Sequence, residues 1–321
     1  MFKRVSPIKL NITPAAVWAT VSQAVPSIPL SSILPADTAA LFLHVVASDA
    51  NEYLGLRKPG SSDNRTNMMP GKSHQWTVVG VDAGITFQAF LSNNNSQSVY
   101  LVGYMTAESG VILNNGVPQT GTNWTWVEKD LSAICPGAIA VVFEVLADGM
   151  FWGVRPHGST QDRYQGGYYH SWGVIGCDVN QHIDYYQSTA NQYLYIIGYI
   201  TKGAVFPIDA ENISLSTTEA YLGIDLSDKN AELAFVDMVC TSANIKYALR
   251  EGGSIEDIYR NLDGQHNWGI VGVSDAGFIE GKIQATDVKF WLVGVAEIPV
   301  ITTPGNKGPN MANRLIAAGA I

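Results

Sequence analysis

The chain has 321 residues, 46% of them hydrophobic and 15% charged, with a formal net charge of −9. That balance is globular and excludes a disordered or low-complexity chain, and an acidic surface argues against sequence-independent binding to a phosphate backbone, so no nucleic-acid partner is expected. Cys135, Cys177 and Cys240 show no C-x-x-C spacing, which gives neither a disulfide framework nor a zinc knuckle; they read as buried free thiols.

In chain order, residues 1–28 carry Pro7, Pro14 and Pro26, which rule out a long helix, so the segment reads as an extended arm. Its basic run, Lys3, Arg4 and Lys9, is the only one in the chain. The arm is either a frayed terminus or a strap that orders on a partner. The first residues lack the apolar core of a signal peptide, and no apolar run approaches the roughly 18 residues of a membrane span. A protein made in a cytoplasm and remaining soluble there until it joins something larger is expected.

The body of the chain repeats, and the repeat sets every later expectation. The pattern His-x-Trp-x-x-x-Gly occurs as His74, Trp76 and Gly80, again as His170, Trp172 and Gly176, and again as His266, Trp268 and Gly272, spaced by 96 residues each time. Each copy is preceded by an apolar strand with one polar residue at the matching place, His44, Glu144 or Asp237. On a period-two strand that residue is expected to point outward, away from the core. A strand ending on Arg follows, at Arg57, Arg155 and Arg250, each leading through x-x-Gly-Ser into a polar loop with a second Arg, at Arg65, Arg163 and Arg260. Each unit closes on a β-branched and aromatic strand: Tyr100–Tyr104, Tyr195–Tyr199 and Trp291–Val295.

Short strands with frequent turn signals and no long amphipathic helical period predict an all-β protein. The simplest form is three tandem β-sandwich (jelly-roll-like) domains of about 96 residues with extended terminal arms. The expected boundaries are an arm at 1–28, repeats at 29–118, 119–215 and 216–300, and a tail at 301–321 that ends in a short apolar helix and serves as a second docking peptide.

The three Trp side chains read as core anchors and the three His side chains as rings fastened to loop carbonyls, although a pseudo-threefold arrangement would let the imidazoles meet. Arg57, Arg155 and Arg250 are expected either to fasten their loops, with the Asp82-type residue as ion-pair partner, or to contact a ligand. Unit two is richest in Tyr, and Tyr168, Tyr169, Tyr185 and Tyr186 make the expected binding face. No nucleophile elbow, P-loop or His-Glu-x-x-His is present, so no enzyme, cofactor or metal is expected.

The repeated Arg-x-x-Gly-Ser and His-x-Trp-x-x-x-Gly units, with an arm at each end, resemble an accessory virion protein of a tailed bacteriophage, either a head decoration (cement) protein or a tail or fibre component. That resemblance implies a place in the virion, other virion proteins as partners, a homo-oligomer or symmetric lattice, and arms that thread into neighbouring subunits. The alternatives are a carbohydrate-binding adhesin that recognises a host-surface glycan through unit two, and a glycan-active hydrolase, which needs two facing carboxylates in a cleft.

Overall fold

The computed structural model describes residues 1–12, 16–48, 51–92, 97–189, 192–262 and 265–298. The expected tail at 301–321, including its helix, lies outside the described residues. Within them the protein is all-β, with one short helix at Leu30–Ile33 and a 3-10 turn at Ser227–Lys229.

The strands form small antiparallel sheets arranged as the six blades of a β-propeller, two blades per repeat. From outside to inside, blade one is Phe2–Lys9, Gln97–Thr106, Thr38–Ala47 and His74–Gly80. Blade two is Ala19–Val21, Phe87–Leu91, Glu52–Arg57 and Asn67–Met69. In the second repeat the corresponding inner strands are continuous: Ala140–Pro156 and Gln165–Gly176 form one long hairpin that runs through both blades, with a register shift between Asp148 and Met150. Gly110–Gln119 and Tyr193–Ile200 complete blade three, and Thr125–Asp130 and His182–Gln187 complete blade four. Blade five holds Ala204–Val205 and Glu211–Asn212 outermost, then Lys289–Glu297, Ala231–Val239 and His266–Gly272. Blade six is Leu222–Asp225, Phe278–Ile283, Lys246–Glu251 and Arg260–Asn261.

Three separate sandwiches are therefore not what the repeats build. The three His-x-Trp strands are innermost and pack on one another, and the buried apolar residues of all three repeats form one continuous core. Trp268 of the third repeat meets Phe143 of the second edge-on at 5.1 Å. A sandwich leaves one face of each sheet in water, whereas a blade is covered on both faces by its neighbours. This also overturns the outward reading of the mid-strand polar residues. His44, Glu144 and Asp237 are all buried, because the face opposite the repeat's own core is pressed against the next blade.

The N-terminal segment is part of the same ring. Phe2–Lys9 is the outer strand of blade one and Ala19–Val21 that of blade two, so the expected arm is built into the sheets. In blades three and five the same outer place is taken by the strands that link one repeat to the next. These linking strands explain the recurrent glycines. A Cβ on Gly80 would lie 2.6 Å from the Ile112 side chain, and one on Gly176 would lie 2.6 Å from Phe206. In the third copy Arg4 crosses Gly272, at 3.4 Å. The motif ends on Gly because the strand that joins two repeats runs directly over it. Gly80→Ala is expected to cost about 1–3 kcal/mol by overpacking. Gly80→Ala combined with Ile112→Ala should cost less than the two singles added together, as read by urea unfolding of the four proteins; additive costs would mean that Ile112 is not the obstacle.

Candidate functional site

The Arg that ends the third-from-outside strand of blades two, four and six makes the same three contacts each time. Its Nη1 donates to a carbonyl six residues on: Arg57 to Asp63 (2.5 Å), Arg155 to Gln161 (3.1 Å) and Arg250 to Glu256 (2.6 Å). Its Nε donates across the sheet to Gln88 (2.7 Å), Asp184 (3.2 Å) or Glu280 (2.7 Å). An aromatic ring on the outer strand covers the guanidinium: Trp18 at 4.2 Å, Trp126 at 4.1 Å and Tyr221 at 3.5 Å. The ring's own polar atom then bonds the loop, at Asn64, Asp162 and Asp257. The planar, permanently charged guanidinium suits this combined stacking and multiple donation. Arg57, Arg155 and Arg250 thus fasten their loops. Their cross-sheet partner is not the Asp82-type residue, which instead caps its own turn by accepting from the Gly84 and Thr86 amides.

A second polar system joins the repeats. His170 lies 2.5 Å from the Glu144 carboxylate and 3.1 Å from the carbonyl of Leu54 in the preceding repeat. His266 lies 2.8 Å from Asp237 and 2.9 Å from the Trp152 carbonyl. Leu54 and Trp152 both stand three residues before the loop-fastening Arg, so the repeats are stitched head to tail by equivalent bonds. The carboxylates are held in turn by the preceding repeat, Glu144 by Arg65 (2.6 Å) and Asp237 by Arg163 (2.8 Å). Burial alone would raise the Glu144 pKa, but His170 and Arg65 outweigh it and hold the carboxyl below its ordinary value. Both nitrogens of His170 and of His266 have protein partners, so these imidazoles are interface fasteners. Trp76, Trp172 and Trp268 are buried beside them.

Between the third repeat and the first the pattern changes. The residue eight positions after the loop-fastening Arg is Arg65, Arg163 and then Ile258, so Arg260 is not the third member of the series. Opposite Ile258 stands His44 in place of a carboxylate, and both line one small cavity with Trp76. His44 Nε2 and His74 Nδ1 lie 2.8 Å apart, and the His74 ring packs against Tyr247 at 4.3 Å. Burial lowers the His44 pKa to about 3 and lowers that of His74 as well, with His44 a second cause there. At this point of the interface a histidine pair takes the place of the buried carboxylate and guanidinium.

The expected binding face is placed differently. Tyr185 and Tyr186 are 0% and 5% exposed and offer no surface to a ligand. Tyr168 and Tyr169 lie in the Gln165–Gly176 strand, and their side chains are outside the described residues. The exposed aromatic rings of the second repeat include Tyr193, 46% exposed, and Trp124, 62% exposed, whose ring lies 6.0 Å from that of Phe151 with Tyr164 beyond. Trp124 has φ +59°, and its equivalents Ala16 (+49°) and Glu219 (+62°) share that conformation. The backbone N–H donates to the same neighbouring strand in all three, at 2.7, 2.9 and 2.8 Å. The left-handed turn belongs to the scaffold; the exposed indole belongs to the second repeat alone. Its sequence signal was Asn123-Trp124-Thr125-Trp126, just before a strand. Burial pushes the Cys135, Cys177 and Cys240 thiols up to about 12, which favours their protonated form at neutral pH.

No protein-family model and no curated protein sequence matches the chain. Among solved structures it is similar to the M60 catalytic domain with the CBM51-1 and CBM51-2 domains of Clostridium perfringens ZmpB, at 8% identity and a TM-score of 0.20. That match covers 91% of this chain, which spans 36% of the other. Among the described residues no helix is long and apolar enough to cross a membrane.

Proposed function

We propose that the protein is a structural part of a larger particle, an accessory component of a tailed-phage virion, and that it contacts its neighbour through the outer face of blade four. The observation that carries this reading is Trp124. A large ring is held 62% exposed in a left-handed conformation where the other repeats carry Ala16 and Glu219. Holding a bulky residue there costs on the order of 1–3 kcal/mol, and the Phe151 ring, 6.0 Å away, extends the exposed apolar surface beside it. Contiguous exposed apolar surface of this kind is the usual mark of a protein contact. The pseudo-threefold body supports the same reading, because one chain with three matched faces can occupy a threefold position in a lattice.

The test is co-sedimentation with particles of the virus or prophage that encodes the chain. Wild-type protein is expected to travel with them, and Trp124→Ser with Phe151→Ser to stay at the top of the gradient with an unchanged melting temperature. Equal attachment of the double variant would overturn the role of this face. Absence of the wild-type protein from the particles would overturn the virion assignment. An adhesin reading draws on the same exposed ring, which stands next to Asn123 in the manner of a sugar-stacking platform. Glycan-array binding that is lost in Trp124→Ser, without particle attachment, would favour it.

A further inference from the structure

Threefold repetition provides an internal reference: what all three copies share is scaffold, and what one copy adds is available for function. One concerted departure lies on blade four. Glu128, His157 and His182 stand where the first repeat has Thr20, Pro59 and Thr86 and the third has Gly223, Gly252 and Phe278. Three unrelated replacements on three separate strands or loops bring two imidazoles and a carboxylate to one place. One ligand atom from each lies within 4.8 Å of the others.

We propose that Glu128, His157 and His182 form a binding site for one divalent transition-metal ion, with zinc the best-fitting occupant. Strand geometry explains the convergence. Glu128 pairs directly across the sheet with Asp184, and Asp184 with Arg155. His182 is two residues from Asp184 and His157 two from Arg155, so alternation brings all of them to one face. His157 Nδ1 lies 2.8 Å from Asp184 Oδ1, while its Nε2 is 4.0 Å from Glu128 Oε2. A carboxylate behind one ring nitrogen, with the other nitrogen turned toward the site, is the arrangement that orients metal-binding imidazoles. Asp184 is itself held by Arg155. His182 Nδ1 lies 2.6 Å from Glu128 Oε1, the short contact that an ion would replace. Asp130 and Asp178 stand 3.7 and 3.9 Å from His182 and add negative potential.

Two nitrogen donors and one oxygen select zinc and its neighbours over calcium or magnesium, which prefer all-oxygen sets. Metal–ligand distances of about 2.0–2.2 Å put tetrahedral donors roughly 3.3–3.5 Å apart, so the His182–Glu128 contact must open and His157 must draw in. Half-exposed side chains such as Glu128 and His157 can do so by rotamer change. Three protein ligands on an exposed face leave a fourth position for water or for a donor from a partner.

The test uses the full chain, purified with chelator and dialysed. Titration with ZnCl2 is expected to show one equivalent bound with a Kd of about 1 µM or tighter. Co²⁺ in the same experiment should give the visible absorption of a four-coordinate ion. His182→Thr and Glu128→Thr install the first repeat's own residues and should fold, with melting temperatures matching metal-free wild type. Each is expected to weaken zinc at least tenfold, and the pair to abolish the cobalt bands. No bound equivalent in the wild type, or one retained unchanged in the folded double variant, would overturn the site. Particle attachment through Trp124 is a separate measurement, and either result can stand without the other.

Discussion

A chain that begins at residue 11 is expected not to close its ring. In blades three and five the outer strand is supplied by the link between repeats; in blade one it is Phe2–Lys9, which pairs with Gln97–Thr106 of the first repeat and also meets the third, so it seams the two together. The strand carries large terms. Phe2 and Leu10 are buried, and Phe2 packs on Phe42 of the first repeat and Phe235 of the third. Burying two such side chains contributes roughly 4–5 kcal/mol, before the ladder to Gln97–Thr106, at about 0.5–1.5 kcal/mol per bond, is counted. Charge acts in the same sense. Lys3 lies 3.3 Å from Glu232, and Arg4 pairs with Glu251 at 3.4 Å and with Asp275, all in the third repeat. Two of the three residues of the one basic run, Lys3 and Arg4, thus meet acidic residues of the third repeat. The sum rivals the 5–15 kcal/mol total stability of an ordinary protein.

Deleting residues 1–10 should therefore give an insoluble or molten product. Phe2→Ala alone should cost about 3–5 kcal/mol in urea unfolding. A synthetic peptide of residues 1–12 added in trans is expected to restore the cooperative melt of the truncated chain, because the strand joins an existing sheet edge. A truncated protein that melts within a few degrees of wild type would remove the seam from the account.

Much of the local structure was legible from sequence, because a 96-residue period fixes which residues are equivalent and alternation fixes which are strands. The His-x-Trp strand, the Arg-terminated strand and the aromatic closing strand all lie where the pattern puts them. How the units are arranged was not legible, because the same strands can bury one face as a sandwich or both as a blade. The clue was the polar residue in the middle of an apolar strand. Reading His44, Glu144 and Asp237 as outward assumed water on that side. Their variation in step with Arg65, Arg163 and Ile258 was the signal of contact between repeats, and taking Arg260 as the third member hid it by two positions. The binding face was misplaced for a related reason: Tyr185 and Tyr186 look like a surface pair only if one side of their strand is open. Trp124 and the Glu128, His157 and His182 set differ from their equivalents in the other repeats, a comparison that needs strand register to align positions outside the motif.

Acid should open the ring at the junction of the third repeat with the first. An unfolded histidine titrates near 6.5. Burial lowers His44 to about 3 and lowers His74 too. A depressed folded-state pKa contributes stability that is fully present above 6.5 and is lost as pH falls toward the folded value, since the unfolded chain takes up protons that the buried rings refuse. Each such group removes up to about 1.4 kcal/mol per pH unit below 6.5, so the two together should remove several kcal/mol by pH 4.5. Urea unfolding at pH 7.5 and 4.5 measures the loss.

The other two junctions indicate how to abolish it. Glu144 with Arg65, and Asp237 with Arg163, supply the carboxylate and guanidinium that His44 and Ile258 replace. His44→Glu alone should be strongly destabilising, by about 3–5 kcal/mol, because it leaves a buried carboxylate facing Ile258, and Ile258→Arg alone should be costly for the converse reason. Together they rebuild the junction the molecule already uses twice, with His74 gaining a carboxylate partner as His170 has in Glu144. The double variant is expected to recover more than half of the summed cost of the singles and to lose less stability than wild type between pH 7.5 and 4.5. Additive singles would show that the two positions do not meet across the junction, and a wild-type stability that stays level down to pH 4.5 would show that the neutral histidine pair does not set the acid limit.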